Sequence, residues 1–392
     1  MLVSPYYFAT PENDWRSLFF HYLPESVMVV DPKAIKYFYE GLPTGKPIPW
    51  RFWVKPSVAW CLYAFLTFTS PTCLSVILRK QWVEHERFAF PLVKLPAVGK
   101  QINSFFRTPL MWIGSSFPVL IHLLNGLKRH FPNLPSIPLH FNLDILLIDK
   151  PWSAMRPVSI MVYPSIIGFT YLLSLDVLFP FWFFYLIYKL QSAIVLASGA
   201  SFSGWILANR QEMSGYIALI IFVFWLARRH IWDVITKALD LQNKIDDSNE
   251  PLTCRRALIG LILATYLIAL MSSMIGLSFW LAIGVMVCFY MMAIVLIWMV
   301  TDGGFLFLPA IFRPSDYLMV AFGSSNFNAR NHTILTFEKT MMFDLREFIM
   351  PYVMNGLKAS APVRLHRRKL MGVMFLSMVV GLIVAYYADL MT

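Results

Sequence analysis

Charge is what this chain has least of. Of its 392 residues only 14% are Asp, Glu, Lys or Arg, against about 25% in an ordinary soluble domain. A water-soluble domain of this length has too little interior to hide the remaining apolar surface, so lipid must cover it. Acidic residues are the scarcer sign, 22 against 33 basic. The four cysteines form no CxxC pair and no extracellular spacing, which indicates neither a zinc site nor a disulfide framework. HExxH and GxSxG are absent, and none of the eight histidines has a partner at metal-site spacing. The piece from Gly41 to Lys46 has three residues between its glycines instead of four. Pro47 then stands where a phosphate loop needs Ser or Thr. No residue is therefore assigned a catalytic or metal-binding role, no cofactor is expected, and nothing positive argues for an enzyme. A basic leader followed by a continuous apolar run is also missing from the N-terminus.

Long apolar runs are plentiful. Hydrophobic residues make up 58% of the chain and aromatics 16%. A transmembrane helix needs about 20 mostly apolar residues, and about eight stretches approach that: 56–78, 109–127, 158–175, 178–198, 214–227, 257–275, 277–299 and 370–390. The expected fold is all-α, a polytopic bundle of transmembrane helices. A polar, aromatic and Pro-rich segment, 1–55, precedes it and ends in Trp50 and Trp53, placed as interfacial anchors. The bundle runs over 56–299 and includes the basic loop 79–108 and an amphipathic helix over 228–246. A broken segment, 300–369, separates it from the last span, 370–392; within it 341–360 reads as a surface helix. Segment 109–127, interrupted by Pro118, either spans or re-enters.

A net charge of +11 raises the question of nucleic acid, but the basic residues gather in the loops between apolar runs. Loops 79–108, 228–256 and 300–369 hold 21 of the 33, which makes that side cytoplasmic by the positive-inside rule. The bilayer, not nucleic acid, is the expected partner. This orientation would translocate the 55-residue N-terminal segment without a signal sequence, so the chain is expected to be the later part of a longer protein.

Three passages carry a family resemblance. They are ATPENDWRSLFFHYLPESVMVVDPKAIKYFYEGLPTGKPIPW with the loop QWVEHERFAFPL, the central IGFTYLLSLDVLFPFWFFYLIYKLQ, and REFIMPYVMNGLKAS. Together they resemble a large, uncharacterised family of bacterial multi-pass membrane proteins, distantly similar to oligopeptide and metal-chelate transporters. The resemblance implies a place in the bacterial cytoplasmic membrane, further helices before this chain begins, and secondary transport of a small organic solute or peptide, with a coupling ion. In such transporters an acidic residue followed by glycine breaks a helix near the path. Asp302, Gly303 and Gly304 are the comparable residues here, and a helix cap with its turn explains them as well. Two other classes stay open: a membrane-embedded enzyme acting on a lipid-linked substrate, and a structural or assembly subunit.

Candidate pathway residues are polar groups where hydrocarbon should surround them. Lys189 lies deep in its apolar run, with Gln191 beside it and Asp176 at the start of the same run. An ionisable group at such depth costs about 2.5–3.5 kcal/mol and needs a partner or a cavity. A pathway charge lining a polar cavity and paired with Asp176, Asp302 or a substrate carboxylate satisfies that need, and so does a structural ion pair or a helix displaced so that Lys189 reaches the interface. His122 and Asn125 share a helix face as a relay pair or an interhelical bond. Glu84, Glu86 and Arg87 stand in the loop after the first span as gating candidates or as solvent-facing ion pairs.

Overall fold

A computed structural model describes residues 2–93, 106–171, 173–199, 204–241, 246–305, 308, 310–342, 348–362 and 365–391. The part of the basic loop at 94–105 and of the expected surface helix at 343–347 lies outside these. In chain order the helices are α1 (Ser4–Tyr7), α2 (Trp15–Leu18), α3 (Pro32–Glu40), α4 (Trp50–Lys80), α5 (Pro109–His130), α6 (Pro164–Thr170) and α7 (Leu175–Ala197). They continue as α8 (Gly204–Ala238), α9 (Cys254–Ile275), α10 (Phe279–Gly303), α11 (Pro314–Phe322), α12 (Ala329–Met341), α13 (Ile349–Ser360) and α14 (Arg367–Met391). Two three-residue strands, β1 (His140–Asn142) and β2 (Ser159–Met161), pair antiparallel with Phe141 opposite Ile160. The fold is all-α, and among the described residues six helices are long and apolar enough to cross a membrane: Trp50–His85, Pro109–His130, Leu175–Ala197, Cys254–Ile275, Phe279–Gly303 and Arg367–Met391.

Six replaces the expected eight for two physical reasons. The run 158–175 is apolar but is not one helix. Pro164 forces the residue before it out of the helical region, so Tyr163 is extended, β2 precedes it, and α6 lasts only seven residues. The run 214–227 belongs to the 35-residue α8, whose charged flanks and strip of polar residues keep it from being apolar throughout.

The chain forms two compact units, one of residues 1–88, 216–300 and 307–392, the other of 89–215 and 301–306. In the first, α4 and α9 run antiparallel: Val76 packs with Ala257, and a Cβ on Gly260 would lie 2.9 Å from Cys73 Sγ. Two hydroxyls along α4 turn back onto their own helix, Thr67 to Tyr63 O and Ser75 to Pro71 O at 2.9 Å, which satisfies those donors in apolar surroundings. Thr253 caps the start of α9. At the far end Gly276 adopts φ +113° while Leu277 N donates back to Ser272 O and Gly276 N to Ser273 O. That left-handed cap turns the chain straight into α10. Residues Met292 to Ile297 of α10 are all buried, as suits a helix apolar on every side.

Two further sequence expectations change here. Helix α13 is not a surface helix: Met350, Val353, Met354, Leu357 and Ser360 bury one face, and Val353 and Leu357 join Val76, Ala257 and Met371 in a core cluster. Trp53 is not an interfacial anchor, because it is buried with Val3, Val29, Ala34 and Ile35. Only Trp50 is exposed, stacked on Tyr387. Along the first-unit part of α8, Tyr216, Ile220, Val223, Ala227, His230 and Val234 are buried at alternating steps of four and three, a narrow seam of the coiled-coil type.

Candidate functional site

The second unit holds most of the residues singled out from sequence. Lys189 is only 7% exposed, yet the ion pair expected for it is not what compensates it. Its Nζ donates to Pro157 O at 2.7 Å and lies over the rings of Tyr185 and Tyr188, 5.4 and 5.6 Å from their centroids. The loop carrying Trp152–Met155 packs on α7 and brings that carbonyl in. Asp176 is exposed in the first turn of α7. At 1.5 Å per residue it stands about 20 Å along the axis from Lys189, too far to pair, but at the helix end that favours negative charge. Gln191 accepts from Gln211 Nε2 at 2.7 Å.

His122 and Asn125 do not act as a couple. His122 is exposed, whereas Asn125 spends both halves of its amide on Ile137, donating to its carbonyl and accepting from its N–H at 2.9 Å each. Asp302, Gly303 and Gly304 end α10. Asp302 Oδ1 accepts from Ala89 N at 3.5 Å, and Thr301 O accepts from Phe90 N at 3.0 Å. Gly304 takes φ +73°, and a Cβ there would sit 2.8 Å from Pro91 and Leu173 side-chain carbons. A cap and a close backbone approach account for the diglycine.

The loop candidates belong to the first unit, where α4 passes into a π-helical turn, Gln81–His85. Arg79, 1% exposed, is gripped there. Its Nε donates to Glu250 Oε2 at 2.7 Å, its Nη2 makes a short bond to Glu250 Oε1, and Nη2 also reaches Glu84 Oε1 at 3.1 Å. Glu86 accepts from Gln81 Nε2 at 2.8 Å, and Arg87 follows in the left-handed region at φ +55°. Glu84 and Glu86 thus fasten the end of the first span instead of converging on a cleft.

One buried ionisable group was not anticipated. Glu338 lies on α12, whose 13 residues span about 20 Å, too short to cross a bilayer. Asn331, Ile334, Leu335 and Glu338 recur at helical spacing and form its buried face. Asn331 ties the helix to the α9–α10 turn, accepting from Ser278 N at 3.2 Å. Glu338 is 2% exposed. Its Oε1 accepts from Tyr63 Oη at 3.2 Å and, in a short bond, from Ser272 Oγ. Its Oε2 is buried with no hydrogen-bond partner. Burial dominates and raises the carboxyl to about 7, against the two hydroxyls that pull it down. A carboxylate with a bare oxygen in such a place costs several kcal/mol, and a proton removes that cost. Its signal in the sequence was a single acid on the apolar stripe of an otherwise polar helix.

Tyr63 joins this carboxyl to a cavity of about 200 Å³. Trp60, Tyr63, Met271, Met274 and Ile275 line it, and the exposed Lys55 stands at its edge. Trp60 donates through Nε1 to Val27 O at 2.9 Å and packs edge-on to Tyr63 at 5.7 Å. Among the described residues no group of three His, Cys, Asp or Glu is placed to hold a metal ion.

These features define a class: an integral, multi-pass membrane protein of all-α fold with an isolated acid buried among its helices. The chain belongs to a family of unknown function, DUF6785, whose model matches residues 1–392. No curated protein and no solved structure matches it.

Proposed function

We propose that this protein is a secondary transporter of a small organic solute, driven by protons across the bacterial cytoplasmic membrane, with Glu338 carrying the coupling proton. The bare Oε2 of Glu338 is the observation that carries this reading. A structural acid would be matched by a cation, as Glu250 is by Arg79. A group that must gain and lose a proton is better left with hydroxyl neighbours that tolerate both states. The carboxyl's value of about 7 puts both forms within reach near neutral pH. The neighbouring cavity supports the solute half of the reading. Apolar walls, a phenol at one side and an ammonium at the edge suit an apolar body with an acidic group, and 200 Å³ is below the usual range for drug-sized ligands. The resemblance to peptide and metal-chelate transporters points to the same class.

The test combines spectroscopy with uptake. In the reconstituted protein, infrared difference spectra across pH 5–9 should show a protonated-carboxyl stretch that disappears near pH 7 in the wild type and is missing in Glu338→Gln. A panel of labelled amino acids and short-chain organic acids, offered to proteoliposomes with an acid-outside gradient, should yield at least one accumulated solute. Glu338→Gln should lose accumulation while keeping solute exchange at zero gradient. Accumulation that ignores the pH gradient, or that survives in Glu338→Gln, overturns the assignment.

A further inference from the structure

At the opposite end of the first unit from the Tyr63 cavity lies a second cavity, of about 530 Å³ and quite different chemistry. Its walls are Ser248, Asn249 and Ser360 with His366, Arg367 and Arg368. The depth of this cavity is fixed by packing. Met371 of α14 shares a cluster with Val76, near the end of α4, and Ala257, in the first turn of α9. Arg367 and Arg368 lie one turn further out, about 5 Å beyond that apolar layer, where cations flanking a span meet lipid head groups.

The charge of this cavity is only partly cancelled from within. Arg368 Nη2 donates to Ser248 O at 2.7 Å and Arg367 Nη1 to Asn249 O at 3.3 Å; both acceptors are backbone carbonyls, and among the described residues no carboxylate pairs with Arg368. Arg367 stands 4.0 Å from Glu250, an acid it shares with Arg79, which Glu84 also pairs with. Lys369, exposed next to Arg368, adds another cation. These residues also open α14, where the helix dipole disfavours positive charge and no acidic side chain stands in the first turn. Arg368 and Lys369, left in excess of the local acid and set against the helix field, suit an anion from outside. We propose that this cavity binds a phosphate group, and that its source is the head group of an anionic phospholipid whose chains lie along α14. Two guanidinium groups offer forked donors to phosphate oxygens, Ser248 adds a hydroxyl, and the apolar face of α14 begins directly below.

Purified full chain in neutral detergent, titrated with short-chain phosphatidylglycerol, phosphatidylcholine and inorganic phosphate and read by native mass spectrometry and thermal shift, tests this. Each cation near a membrane surface contributes roughly 1 kcal/mol, so phosphatidylglycerol should bind at least about fivefold more tightly than phosphatidylcholine. Arg368→Gln should erase that preference and leave phosphatidylcholine unchanged. Because Arg368 pairs with no carboxylate among the described residues, the variant should keep its lipid-free melting temperature. An Arg368→Lys variant restores charge without the fork and should regain part of the preference. Inorganic phosphate competing as strongly as phosphatidylglycerol would keep the phosphate site and assign it to a soluble ligand, overturning the lipid source. Equal binding of the two lipids, or an unchanged preference in Arg368→Gln, overturns the site.

Discussion

Lys189 and Glu338 are both buried ionisable groups, and they teach opposite lessons. The lysine reaches a loop carbonyl at 2.7 Å and two aromatic faces, so its charge is answered where it stands. The glutamate has two hydroxyls on one oxygen and nothing on the other. Burial alone is common to both and separates nothing. What separates them is whether the neighbours satisfy one protonation state completely or two incompletely, and only the second arrangement invites a proton to move.

Four measurements bear on that contrast. The largest effect belongs to Glu338. Its carboxyl lies at about 7 in the folded chain against 4.5 ordinarily, so the folded state holds the extra proton between those values. The resulting stability is whole below about 4.5 and is lost as pH rises through about 7, a change of about 3 kcal/mol for a fully buried group. Melting in detergent from pH 4.5 to 8.5 should show this decline, and Glu338→Gln should flatten it; parallel curves would erase the distinction from Lys189. Next comes Lys189→Met, which strands the Pro157 carbonyl and should cost about 2 kcal/mol while leaving the pH slope intact. If it abolished solute accumulation without lowering the melting temperature, the contrast would break. Tyr63→Phe should cost about 1 kcal/mol and move the Glu338 midpoint upward, because the phenol favours the carboxylate; a downward move would contradict the assigned donor. Asn125→Ala is the smallest, about 0.5–1 kcal/mol for exposed amide bonds, and should loosen hydrogen exchange around Ile137 only.

The membrane character and most spans were legible because a run of 20 apolar residues admits few other structures. The same rule misled at 158–175, where apolar composition hid a strand, a proline-imposed break and a two-turn helix. Lys189 was correctly placed deep in its helix, but its partner was not readable: Pro157 is a backbone carbonyl 32 residues away, brought back by a loop with no regular period. Glu84 offered the plain reading of an ion pair with a nearby arginine, and that pair with Arg79 forms. Glu250, its stronger partner, is 171 residues distant. Glu338 was not legible because α12 carries no long apolar run and buries only one face, on which the acid stands beside Ile334 and Leu335.

The indole of Trp60 has a use beyond lining a wall. It sits against the phenol that contacts the acid, so its emission should brighten or fade as that acid changes ionisation. Twelve other tryptophans would blur the signal, yet the difference between the native chain and Trp60→Phe isolates it. The molecule thereby carries a built-in optical gauge of its own titration, readable in real time, without a dye and before any cargo has been identified.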